Sequence, residues 1–194
     1  MEPPRDLRTD ALLRLTGGIE AGVVGGAAML ALLMCGSLVD GRGWWEIPNL
    51  LGSTFYGQRA FRGGPAMATL SGAALHFTIS GGVGAAFGLI CGGIRQRKRL
   101  LFCGILAALL WHYISQAWFW TRVNPRVPAY APQPLLMLSH LMFGACLGPT
   151  MGRTLPKPEG EAKRFPDQGE GPGEEGIEVS KSPRMDRMET DGIE

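Results

Sequence analysis

The residues able to do chemistry are few, and they sit inside apolar sequence. The chain's three histidines, His76, His112 and His140, fall in three different apolar stretches. Each stretch is long enough to cross a bilayer core, which takes about 20 residues as a helix. At 1.5 Å rise per residue, His76 lies about 10 Å, His112 about 12 Å and His140 about 9 Å from one common end of such helices. Successive spans alternate in direction, so the three imidazoles are expected in one layer. Ser80, Ser115, Gln116 and Ser139 add donors and acceptors near the same level.

Three chemistries suit such a layer. Neutral histidines can fasten neighbouring helices by hydrogen bonds. They can ligate a transition metal or a haem iron, since imidazole suits zinc, copper and iron; the candidate ligands are His76, His112 and His140. They can also relay protons or line a small-solute path, because imidazole titrates near neutral pH. No carboxylate or cysteine shares the layer, so a metal site would rest on imidazole alone. His76 with Ser80 and Ser139 with His140 are serine–histidine neighbours, but nothing acidic is placed to orient the base, and a hydrolase needs that third group. The chain therefore reads as a non-enzyme. The cysteines Cys35, Cys91, Cys103 and Cys146 all lie in apolar segments and form no C-x-x-C pair. They read as small hydrophobes.

The elements that must hold these residues are read from composition. The chain has 194 residues, 29 of them glycine, and a net charge of +2. Four spans are expected, at about residues 17–38, 69–93, 100–120 and 134–152 within a membrane domain covering 16–152. Residues 1–15 form a short lead. The first span is too long for a signal-peptide core and lacks a small-residue cleavage site, so it is expected to be retained. Glu20, near its start, reads either as a boundary residue at a helix N-terminus or as a proton-carrying acid. Residues 44–57, WWEIPNLLGSTFYG, are too short to cross. They suit the membrane interface, or equally a cap over the mouth of the bundle. The proline-rich connection 121–133 cannot continue a helix, and Pro149 is expected to kink or end the last span. Residues 153–194 are polar and rich in glycine, proline and charge, a composition that predicts disorder.

Glycines recur at spacing four in three spans: Gly18, Gly22 and Gly26; Gly84, Gly88 and Gly92; Gly144, Gly148 and Gly152. Such ridges allow helix backbones to approach closely, and they suit a homo-oligomer or a larger membrane complex as well as an internal bundle. The short turn at 95–99 carries Arg95, Arg97, Lys98 and Arg99, which places it and both termini on the cytoplasmic side by the positive-inside rule. That topology accounts for the basic cluster, so nucleic-acid binding has no separate support.

Two phrases, SGAALHFTISGGVGAAFGL and LSHLMFGACLG, resemble a family of small, uncharacterised four-helix bacterial inner-membrane proteins. Gly72, His76, Ser80 and Gly84 fit one motif of that family; His140, Phe143 and Gly144 fit the other. The resemblance covers about residues 17–152 and excludes His112. It implies a bacterial inner-membrane setting and no particular activity. The expected fold is thus an all-α membrane protein: an antiparallel four-transmembrane-helix bundle with glycine-ridge packing, an outer interfacial segment and a disordered C-terminal tail.

Overall fold

The computed structural model describes residues 7–154. Four long apolar helices dominate, each long enough to cross a membrane. They are α1 (Leu7–Val39), α3 (Met67–Cys91), α4 (Arg97–Ile114) with its continuation, and α7 (Gln133–Thr154). Between α1 and α3 lie α2 (Glu46–Tyr56) and a 3-10 turn, Gly57–Phe61. Beyond α4, one π-helical turn, Ser115–Phe119, leads into α5 (Trp120–Val123), and α6 (Arg126–Tyr130) follows. The described residues contain no strand.

The boundaries differ from expectation. The connection 121–133 is itself partly helical: α5 runs to Val123 and α6 spans Arg126–Tyr130. Pro128 falls in the first turn of α6, where its missing N–H breaks no helical bond. α1 spans Leu7–Val39, so residues 7–15 of the expected lead are helical and continuous with the first span. Leu-Arg-Thr-Asp-Ala-Leu-Leu-Arg-Leu contains neither glycine nor proline and gives the helix no reason to start later. At 33 residues, α1 is about 50 Å long. The third span is not one regular α-helix, because the π turn interrupts it. α7 runs through Pro149 to Thr154. The ring removes one N–H donor, but the helix has only a turn left to complete. Arg153 and Thr154 therefore belong to α7, and the remainder of the polar tail, 155–194, lies outside the described residues, as do residues 1–6.

α1 packs against both α3 and α7, and α7 also packs against α4, while α3 and α4 touch little despite the short turn joining them. The α1–α3 contact is made backbone to backbone. A Cβ placed on Gly18 would lie 2.9 Å from the Gly88 Cα, and one on Gly84 would lie 2.6 Å from the Gly22 Cα. The partners fall as the α1 numbers rise, so the two helices run antiparallel. α7 meets α4 in the same way: a Cβ on Gly144 would lie 2.8 Å from both Ile105 Cα and Ala108 Cβ, and one on Gly148 would lie 2.9 Å from Leu101 Cα. The last member of each later ridge differs. Gly92 follows the end of α3 and faces the Arg14 side chain, and Gly152 has only an ordinary contact, 3.5 Å from Leu100 Cδ2.

Seven consecutive residues of α2, Ile47 to Ser53, are buried, whereas Phe55 and Tyr56 in its last turn are exposed. Its close approach to α3 again uses glycine: a Cβ on Gly72 would lie 2.7 Å from the Gly52 N. Thr69, in the first turn of α3, accepts the Ala66 N–H at 2.9 Å and donates to Asn49 Oδ1 at 2.6 Å. One hydroxyl thereby satisfies an unpaired helix-start donor and ties the two helices together.

Candidate functional site

A partly open cavity of about 60 Å3 lies under α2, between α3 and the π-helical turn. Its walls are mostly apolar, from Met29 and Leu33 on α1 to Leu136 and Phe143 on α7. Four polar side chains reach it from three directions: His76 and Ser80 from α3, Gln116 from the π turn, and His140 from α7. Leu50 and Leu51 of α2 pack with Trp120 and Val127 to close one end. The volume is several times what one water needs, about 10–15 Å3 on this measure. It is far below the roughly 300–1,000 Å3 typical of cofactor and drug-sized pockets.

The ring nitrogens have defined roles. His76 Nε2 lies 2.9 Å from the Gly26 carbonyl oxygen on α1. A carbonyl only accepts, so Nε2 carries the hydrogen and donates across the helix contact. His140 Nδ1 lies 2.8 Å from the Leu136 carbonyl one turn earlier and likewise donates, leaving Nε2 as its acceptor. His112 Nδ1 lies 3.4 Å from His140 Nδ1, and the two rings are 4.8 Å apart, edge to face. With His140 Nδ1 as the donor, His112 Nδ1 is the acceptor of that longer contact.

The expected layer is therefore resolved into two parts. His112 and His140 form a pair; His76 and His140 share the cavity wall; and His76 spends its donor on α1. Among the described residues, no group of three or more His, Cys, Asp or Glu side chains is placed to hold a metal ion. The two remaining serines do not serve the site. Ser115 donates to the His112 carbonyl at 2.9 Å and Ser139 to the Leu136 carbonyl at 2.7 Å, both within their own helix turn, a habit of serine inside helices. Glu20 lies on the exposed side of α1, away from the cavity.

Gln116 stands out. Its Oε1 is buried and has no hydrogen-bond partner among the described residues. A buried amide oxygen costs about 1–3 kcal/mol when unpaired, and a water in the adjoining cavity would remove that cost. The π turn brings Gln116 to this wall. Such turns often accompany functional positions in helices. No local signal in SQAWF announces the change of helical pitch.

Asn124 was also not singled out by its sequence. It is buried, and its Nδ2 lies 2.9 Å from Ser53 Oγ and 3.1 Å from the Leu50 carbonyl and from Thr54 Oγ1. Its Oδ1 accepts the Arg126 N–H at 3.3 Å. The dipeptide Asn124-Pro125 is the available signal, since it marks a turn; that the turn would clasp α2 is a tertiary fact. No family model, curated protein or solved structure matches the chain.

Proposed function

We propose that this chain is an integral membrane protein of four spans forming an antiparallel bundle, acting as a structural or accessory subunit and not as an enzyme. One observation carries the membrane reading: polarity is inverted relative to a water-soluble fold. His76, His112, His140, Asn49 and Asn124 are buried, while Phe102, Leu106, Leu110 and Ile114 form an exposed apolar stripe along α4. An uncovered stripe of that kind marks contact with lipid or a partner, and polar residues of spans face the bundle interior. The basic cluster Arg95 to Arg99 supports a cytoplasmic location for that end and for both termini, with α2, α5 and α6 toward the outer side. The motifs around His76 and His140 support a place among small bacterial inner-membrane proteins.

The subunit reading is supported by how the polar groups are used. The hydrogen bond from His76 to Gly26 sits within the glycine contact of α1 and α3, where it fixes register. The test is the state of the protein in its native membrane. Mild detergent extracts run on native gels should show a species larger than the purified monomer. Migration as a lone monomer would overturn the subunit role, and extraction by alkaline carbonate would overturn the membrane reading.

The cavity favours a second reading, transfer of protons or a small solute through the outer half of the bundle. A buried space holding two imidazoles and an unpaired amide oxygen suits a short water chain. Liposomes loaded with a pH-sensitive dye test it: flux above empty liposomes that falls with Gln116→Leu supports the reading, and flux equal to empty liposomes rejects it.

A further inference from the structure

At the other end of α3 from α2, where the chain turns into α4, lies an open hollow of about 710 Å3. Arg95, Lys98 and Arg99 line it together with Ile94 and Phe102. Arg14 of α1 reaches its edge, with Nη1 3.9 Å from where a Gly93 Cβ would stand. Arg42 pairs with Asp40 and Glu46, far along the chain from this turn. The two acids of α1, Asp10 and Glu20, do not line the hollow. Three cationic heads thus share one concavity with no acid among its lining residues. Its lining also offers apolar surface: Phe102 is 68% exposed. Because α3 and α4 touch little, the hollow opens onto a seam between two spans.

We propose that this hollow binds the headgroup of an anionic phospholipid, with the phosphate among Arg95, Lys98 and Arg99 and the first acyl carbons against Ile94 and Phe102. Guanidinium and ammonium groups only donate, so the set calls for an anion. A free phosphate would answer the charge but leave the exposed Phe102 uncovered, whereas a phospholipid matches both halves of the site. Basic pockets between spans on the cytoplasmic side take such headgroups. The proposal rests on the four-span reading above.

The test uses the full chain in nanodiscs of equal phosphatidylglycerol and phosphatidylcholine, followed by detergent transfer and native mass spectrometry of the retained lipid. Phosphatidylglycerol should be retained over phosphatidylcholine. Arg95→Gln, Lys98→Gln and Arg99→Gln should each lower that preference about fivefold, the effect of one basic residue at an anionic surface. Arg59→Gln, at the other end of α3, should leave it unchanged. Equal retention of both lipids by the wild-type chain overturns the proposal without needing any variant. Displacement of the lipid by inorganic phosphate at matched concentration overturns it in favour of a free-anion site. A wild-type chain that alkaline carbonate extracts removes the four-span reading and the lipid site with it; equal retention in a chain that stays embedded removes the lipid site alone.

Discussion

His76 Nε2 lies 2.9 Å from the carbonyl oxygen of Gly26, and the glycine is what permits the approach. A Cβ at position 26 would stand 2.7 Å from Ser80 Cβ and 3.6 Å from the His76 nitrogen. The histidine and the glycine ridge therefore act together: the missing side chain lets α1 and α3 close, and the imidazole then reaches a main-chain acceptor on the other helix. Interhelical hydrogen bonds in membranes average about 0.6 kcal/mol and reach about 1.7 kcal/mol, so the bond sets register more than it adds stability.

Replacing His76 separates the bond from the packing. His76→Leu should lose about 0.6–1.7 kcal/mol in an SDS unfolding titration, while His76→Gln, whose amide nitrogen can donate to the same carbonyl, should lose less. Equal losses for the two variants would show that the bond contributes nothing.

Two glycines two residues apart in α3 should respond in opposite ways to alanine. A Cβ on Gly84 meets the Gly22 backbone, whereas one on Gly82 meets nothing within 4 Å. Gly84→Ala should destabilise by about 1–3 kcal/mol through overpacking. Gly82→Ala should be neutral or stabilising by up to about 1 kcal/mol, the helix-propensity gain. The same titration checks both, and a neutral Gly84→Ala would remove the close-contact account of the α1–α3 interface.

Asn124 ties α2 to the turn that follows α5. Asn124→Leu strips the hydrogen bonds it makes to Leu50, Ser53 and Thr54 and should cost about 1–3 kcal/mol. The loss should be local, so a cysteine placed at Ser53 should react faster with a membrane-impermeant maleimide in the variant. Unchanged labelling would mean that apolar packing alone seats α2.

Gln116→Met fills the cavity wall and removes the unpaired oxygen. Because replacing an unsatisfied buried acceptor by an apolar group relieves its desolvation cost, stability should hold or rise by about 1–3 kcal/mol. A clear drop in the thermal midpoint in detergent would mean that Gln116 Oε1 has a partner contributing to the fold.

Much of the architecture was legible from local pattern. Four helices long and apolar enough to span follow from runs such as TLSGAALHFTISGGVGAAFGLICG, because a chain that buries its backbone polar groups in such sequence has little choice but helix. The start of α1 was not legible, since residues 7–15 are polar enough to suggest a lead yet contain no helix breaker. The π turn at Ser115–Phe119 was not legible either, because SQAWF carries no glycine, proline or other local signal for a change of helical pitch.

What the sequence alone determined is the inventory and the periodicity: three histidines at matched distances along their helices, and glycines at spacing four. Those are properties of single helices, set by rise and turn. Which ridge meets which, that His112 pairs with His140 while His76 binds the Gly26 carbonyl, and that Asn124 clasps α2, were decided only in the tertiary structure. Each depends on the rotation and register of one helix against another, and these are fixed by contacts between residues such as Leu50 and Asn124, which stand far apart in the chain.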